Sequence, residues 1–261
     1  MKSIGILGGM GPEATAELYT RIIQTFQAKG SVYDEEFPVI YIYNLPVPDV
    51  AEKENDILMK LIDGLDKLRK MDSEILTIPC NTATCLIEKY GNFSDFISIV
   101  KETVKKVNEY EYRKIGLLGT RLTLKTGVYQ SLLKKEGIDF ILPTEKEREE
   151  ITKIILNILA GKKLPADKLV LEKITIGMIE NGAESVILGC TELPLLFKNS
   201  NIRTIDTIQV LTEALVRECN GCDSVTRSVS VCGAEGAGSN PARGPKIRGD
   251  KYENKKSHLR Q

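Results

Sequence analysis

The sequence predicts a duplicated α/β protein with a parallel sheet in each half, and three observations carry that expectation. The apolar run from Ile75 to Cys80, followed by Asn81 and Thr82, has a near-copy from Ser185 to Cys190, followed by Thr191 and Glu192. The opening segment Lys2 to Gly8 reappears as Arg113 to Gly119, with Gly5 standing 75 positions before Cys80 and Gly116 standing 74 before Cys190. Between these landmarks, apolar runs of strand length alternate with helical periodicities, and no hairpin signal separates them.

Each element follows from its local pattern. Ile4 to Leu7 reads as a buried parallel strand ended by Gly8 and Gly9. Pro12 then opens a helix with Ala14, Leu18, Ile22 and Phe26 on one face, because the N–H that proline lacks would be unpaired in the first turn anyway. Gly8, Gly9, Met10 and Gly11 form a loop that lets a ligand anion approach backbone amides at that helix start, although tight-turn geometry alone accounts for it equally well. Pro38 to Tyr43 is a second strand, and after the loop Asn44 to Asp49 the residues Ile57, Leu58, Leu61, Leu65 and Leu68 trace a helix face. The strand into Cys80 follows, then a strand over Phe96–Val100 and a helix over Lys101–Glu109.

The second half repeats the plan. A strand over Lys114–Leu118 precedes a helix over Leu124–Lys135, and Ile138–Leu142 is again a strand. Ile151, Ile154, Ile155, Ile158 and Leu159 mark a helix ended at Gly161, and Leu169–Ile179 another that stops at Asn181 and Gly182. The strand into Cys190, a strand over Ile202–Ile205 and a helix carrying Ile208, Leu211, Ala214 and Leu215 complete the chain's patterned part. From 219 to 261 glycine, serine, asparagine and lysine dominate and periodicity vanishes, so a disordered tail is expected there. Ala237 to Ala242 resembles the peptide made when a transfer-RNA gene is translated, which marks the tail as a candidate read-through extension.

Composition narrows the function classes. Lys and Arg total 36, as do Asp and Glu, but 219–261 holds eight basic and four acidic residues, so the body is mildly acidic and nucleic acid is not the expected partner. No apolar run approaches about 18 residues, so neither a membrane span nor a signal peptide is expected and the cytoplasm is the expected location. The six cysteines are read as free thiols. Cys219 and Cys222 form a C-x-x-C, but zinc would need two more ligands and only Cys232 and His258 are on offer, so no metal is assigned. His258 is the sole histidine, and proton chemistry in the body must proceed without imidazole.

Two thiols at equivalent strand ends can do such chemistry. Carboxyl ends of parallel strands are where ligands sit in α/β proteins, and a thiolate is stabilised by helix-start amides. Thiols facing each other across a cleft can remove a proton from one side of a carbon and return one from the other, inverting a stereocentre without a cofactor. A lone cysteine at a strand end is more often an inert small hydrophobe, and a redox disulfide would need the sulfurs bonded rather than separated by substrate. Symmetric placement favours the proton-transfer reading, and Cys85 is assigned to the core.

The strings Gly8 to Pro12, Pro79 to Ala83 and Gly189 to Glu192 resemble the aspartate/glutamate racemase family in its aspartate racemase branch, over residues 2–218. The resemblance implies two flavodoxin-like parallel-sheet lobes related by pseudo-twofold symmetry, with the active site in the cleft between them. It places the first lobe at 1–100, completed by the C-terminal helix 206–218, and the second at 101–205. It implies cofactor-independent racemisation of aspartate or a related small amino acid by a homodimer. Cys80 and Cys190 would be the acid/base thiols, Cys190 acting on the L-enantiomer and Cys80 on the D-enantiomer. Asn81, Thr82, Thr191 and Glu192 would bind substrate, Met10 with Gly9 and Gly11 lining the pocket. Three departures stand out: Thr84 where relatives often have histidine, Val50 where many have arginine, and Thr207 to Gln209 where a histidine is common. A lysine found in relatives before Gly161 is missing from Ile158 to Ala160, leaving Lys163 as a weak substitute. The resemblance leaves open a carbon-acid isomerase or decarboxylase of the same superfamily, or a non-catalytic amino-acid-binding relative.

Overall fold

The chain is described as a computed structural model covering residues 1–47, 54–91, 93–197 and 200–221. Its first half runs β1 (Ile4–Gly8), α1 (Pro12–Ala28), β2 (Ile40–Asn44), α2 (Glu54–Arg69), β3 (Ile75–Thr77), α3 (Asn81–Tyr90), β4 (Phe96–Ile97) and α4 (Ile99–Glu109). The second runs β5 (Lys114–Gly119), α5 (Arg121–Thr126), α6 (Val128–Lys135), β6 (Asp139–Ile141), α7 (Glu145–Leu159), α8 (Pro165–Glu180), β7 (Ser185–Gly189), α9 (Pro194–Phe197), β8 (Thr204–Asp206) and α10 (Thr207–Cys219). The strands make two parallel sheets of four, ordered β2-β1-β3-β4 and β6-β5-β7-β8. The same order in both confirms the repeated α/β plan.

Small devices repeat with the plan. The Ser3 N–H donates to Glu74 Oε2 (2.8 Å) and the Arg113 N–H to Glu184 Oε1 (2.6 Å), each across a sequence separation of 71 residues. Gly5 and Gly116 recur because neither central strand has room for a side chain: a Cβ at Gly5 would lie 2.7 Å from Ser73 Oγ, and one at Gly116 2.8 Å from Val186 Cγ2. Strands β1 and β7 are buried along their whole length, as fully covered parallel strands require.

The helix α10 packs against both α1 and α4. Ile208, Leu211 and Leu215 join Leu18, Ile22 and Val104 in a core cluster that also takes in Ile4 and Ile6 of one sheet and Ile115 and Leu117 of the other. Each fully buried leucine or isoleucine contributes about 1.5–3 kcal/mol. Exposed pairs such as Lys163 with Glu13 (3.1 Å) contribute about 0–1 kcal/mol, so the shared cluster holds the halves together. Asp206 fixes the entry to α10, accepting from the Ile208 and Gln209 N–H groups and pairing with Arg21 of α1 at 2.7 Å.

Four expectations need correction. The strand expected over Phe96–Val100 stops at Ile97, because the Ser98 hydroxyl accepts from the Lys101 N–H and caps α4. The helix expected over Leu124–Lys135 is split into α5 and α6 by Gly127 at φ 70, a left-handed turn that glycine adopts without strain. A turn follows Cys190 rather than a helix start, and α9 is only four residues long. Cys219 belongs to the last turn of α10, where its thiol donates to the Lys2 carbonyl at 3.1 Å. The tail expected over 219–261 lies outside the described residues from 222 onward, Cys222, Cys232 and His258 included.

Candidate active site

Cys80 ends the loop after β3 and is the N-cap of α3, in an extended conformation (φ −148°, ψ 114°) that turns its thiol toward the first amides of the helix. Burial pushes this thiol up to about 11, the Glu192 carboxylate adds to the rise, and the N–H groups of Ala83 and Thr82 oppose it. An ordinary thiol loses its proton near about 8.5. Peptide-mapped alkylation of Cys80 by iodoacetamide should therefore climb about tenfold per pH unit from about pH 8 to about pH 10, since only the thiolate reacts. Levelling off near pH 9 would contradict burial as the dominant cause.

Cys190 follows β7 directly and is 7% exposed. Its Sγ donates to Glu192 Oε2 at 3.0 Å. Burial raises this thiol well above the usual range, and the Glu192 carboxylate and the Cys80 thiol raise it further. The backbone N–H of Glu192 works the other way, so one residue offers the sulfur both an acceptor and a donor. Both thiols thus feel the same carboxylate, and each sits just beyond a strand equivalent to the other's.

Glu192 is 4% exposed, and Thr191 Oγ1 also donates to its Oε2 (3.2 Å). Its Oε1 has no hydrogen-bond partner among the described residues. That oxygen faces the first half, where a Cβ built on Gly11 would lie 2.7 Å from it and 2.8 Å from Leu159 Cδ2. Gly9, at φ 99, would bring a Cβ within 2.6 Å of the Leu45 carbonyl. Thr15 ties this loop down, its Oγ1 accepting from the Gly9 N–H (3.1 Å) and donating to the Gly11 carbonyl (3.4 Å).

The other expected residues divide. Thr82 Oγ1 meets Thr120 Oγ1 and Thr123 Oγ1, each at 2.9 Å, and those two are also 2.9 Å apart, so three hydroxyls close a triangle across the halves. Asn81 is 1% exposed, and its amide is turned into the protein: Oδ1 accepts from the Tyr129 hydroxyl (2.6 Å) and Nδ2 donates to Thr207 Oγ1 (3.1 Å). Thr207 in turn donates to the Leu188 carbonyl at 3.1 Å. Met10 packs against the core cluster that contains Ile78 and Ala83. Lys163 is paired with Glu13 at the surface, both about half exposed, and is not brought to the thiols. Val50 lies outside the described residues. Cys85 is fully buried in the shared core, and burial raises its thiol to about 12.

Thr120, Thr123 and Tyr129 were not singled out from the sequence. Thr120 carried a signal, since it follows Gly119 where the first half has Gly9 after Gly8. Tyr129 reads as one apolar position of a helix, and its role depends on meeting Asn81 across 48 residues. Tyr129→Phe should leave the Asn81 carbonyl short of a buried donor and cost about 1–3 kcal/mol. A melting temperature equal to that of the parent protein would show that the Tyr129 hydroxyl contributes no net stability through Asn81.

The sequence model described as Asp/Glu/Hydantoin racemase matches residues 7–215. A broad specificity amino-acid racemase of Bacillus subtilis is 28% identical over 221 residues, which cover 82% of this chain and 96% of that protein. Among solved structures, an aspartate racemase homologue from Pyrococcus horikoshii OT3 is similar at a TM-score of 0.70 and 27% identity, over 84% of this chain and 100% of its own. The aspartate racemase of Picrophilus torridus shares the fold at a TM-score of 0.72 and 23% identity, over 84% of this chain and 95% of that one. The two parallel sheets match the two-lobe fold of these racemases.

Proposed function

Since this chain belongs to the Asp/Glu/hydantoin racemase family, we propose that it racemises small α-amino acids by direct proton transfer between Cys80 and Cys190, without a cofactor. The observation that carries the reading is the pair of thiols just beyond the equivalent strands β3 and β7, Cys190 buried and Cys80 half-buried, both within the field of Glu192. The substrate lies between them with its α-carboxylate toward the α3 amides and the Thr82 hydroxyl, which stabilise the charge that develops there as the carbon acid ionises. One sulfur, as thiolate, takes the α-proton and becomes a thiol. The other, a thiol at the outset, gives its proton to the opposite face and is left as thiolate. The stereocentre is inverted and the two sulfurs have exchanged roles, so the reverse turnover starts from the product state.

For the side chain, the resemblance points to aspartate, whereas the described wall points to a small neutral group. Leu159 reaches Gly11 in the region where relatives carry a lysine, and among the described residues no lysine or arginine contacts Glu192 or either thiol. A carboxylate side chain would find no charged partner there among the described residues, and such a buried group is costly. Incubation of L- and D-amino acids in deuterated water, followed by the loss of the α-proton signal, tests chemistry and substrate together. Alanine-sized substrates should exchange at least as fast as aspartate, and no exchange with any amino acid would overturn the reading. We further propose the homodimer that the resemblance implies, and a sedimentation mass equal to one chain at micromolar concentration would remove it.

A further inference from the structure

We propose that Glu192 Oε1 receives the α-ammonium of the substrate, so that the site selects free α-amino acids over ligands that lack a primary amine, such as 2-hydroxy acids and ring-closed hydantoins. The assignment rests on the reading of a substrate held between Cys80 and Cys190. Its starting point is the division of labour within one carboxylate. Oε2 is occupied, accepting from the Cys190 thiol at 3.0 Å and the Thr191 hydroxyl at 3.2 Å. Oε1 is buried and has no hydrogen-bond partner among the described residues. Buried polar atoms are almost always hydrogen-bonded, so an orphan oxygen in a 4% exposed residue marks the place of an absent donor.

The surroundings specify what kind of donor fits. Oε1 faces Gly11, the one residue of its loop whose missing side chain leaves that oxygen clear. Both neighbours on Oε2 are neutral, and among the described residues no cation pairs with the carboxylate. A desolvated carboxylate without a counter-charge is unfavourable, and a cation that arrives with the ligand relieves it. An α-ammonium supplies that cation on an atom bonded to the reacting carbon, and its three N–H groups exceed what Oε1 needs. A hydroxyl in the same place brings a hydrogen bond without the charge, and a hydantoin nitrogen has neither the charge nor the freedom to turn.

The arrangement also couples binding to chemistry. Until substrate arrives, burial keeps both thiols above the usual range and the Glu192 carboxylate adds to the rise. Once the ammonium neutralises that field, the cost of a thiolate falls, so a ligand with an amine prepares the base that will act on it.

The test compares pairs that differ at one atom. Calorimetric binding of L-alanine against L-lactate, and of L-aspartate against L-malate, should favour the amine by about 100-fold or more in at least one pair, as expected for a buried charge pair. In Glu192→Gln, which keeps the size and an acceptor oxygen, that preference should shrink to about tenfold or less. Equal binding within both pairs, binding of no member of either pair, or an undiminished preference in Glu192→Gln would each overturn the assignment. Should the variant not fold, the comparison within the parent protein still decides. The outcome is separable from the racemase reading: preferential binding of amines without α-deuterium exchange would sink racemisation and leave the ammonium site standing. Exchange without amine preference would do the reverse.

Discussion

Cys80→Ser and Cys190→Ser should each lower racemisation by about 10²–10⁴-fold while the fold persists. A serine hydroxyl has nearly the size of a thiol but is far too weak an acid to be poised as a base, so the proton-transfer step loses one of its two participants. The fold persists because neither sulfur is indispensable to packing. Cys80 is half-buried at a helix cap, and a hydroxyl at position 190 can still donate to Glu192 Oε2 in place of the thiol. Cys85 is the internal control. It is fully buried in the shared core with no assigned part in the chemistry, so Cys85→Ala should lower the melting temperature and leave turnover close to that of the parent. Loss of turnover in Cys85→Ala to the same degree as in the other two would mean that thiol replacement acts through the fold.

The second large effect lies in the glycine loop, where two neighbouring substitutions should fail for different reasons. Gly9→Ala combines a left-handed backbone at φ 99 with a Cβ only 2.6 Å from the Leu45 carbonyl. Strain and overpacking together amount to about 2–5 kcal/mol, enough to move the melting temperature by many degrees. Gly11 has an ordinary extended backbone (φ −81°, ψ 157°), and the atoms a Cβ would meet are the far ends of Glu192 and Leu159. Those side chains can turn aside. Gly11→Ala should therefore fold with a melting temperature near that of the parent but displace the carboxylate, so its activity should fall by about tenfold or more. Thermal melts and turnover measured on both variants check the contrast. A stable, active Gly9→Ala would refute the loop geometry, and a fully active Gly11→Ala would show that Glu192 has room to spare.

The sequence revealed the parts of this architecture that repeat. Gly5 with Cys80 and Gly116 with Cys190 keep nearly the same spacing because each glycine sits on a central strand and each cysteine just beyond the strand beside it, β1 with β3 and β5 with β7, whose register is set by the fold. Fully buried strands such as Ile4–Gly8 announce themselves as short apolar runs. What stayed hidden depends on long-range meetings. The triangle of Thr82, Thr120 and Thr123 and the chain from Tyr129 through Asn81 to Thr207 join residues 38 to 126 positions apart, and no local pattern encodes them. Asn81 looked like a ligand residue because it follows a cysteine, yet its amide is drawn inward by a buried tyrosine hydroxyl. Short-range misreadings had a different origin. At Ser98 a cap outweighed the strand propensity of Ile97, Ile99 and Val100, and at Gly127 one left-handed residue cut a helix that the apolar spacing carries straight through.

The central claim is that two thiols act on opposite faces of one carbon, and α-deuterium incorporation into each enantiomer by each single serine variant tests it most directly. Each variant should exchange the α-proton of one enantiomer only, through the thiol it retains, and the two variants should choose opposite enantiomers without interconverting them. With Cys190 acting on the L-form, Cys80→Ser exchanges the L-substrate and Cys190→Ser the D-substrate, and the mirrored pattern would reverse only that assignment of faces. Racemisation at the parent rate in either variant, or exchange of both enantiomers by one remaining thiol, would contradict the account.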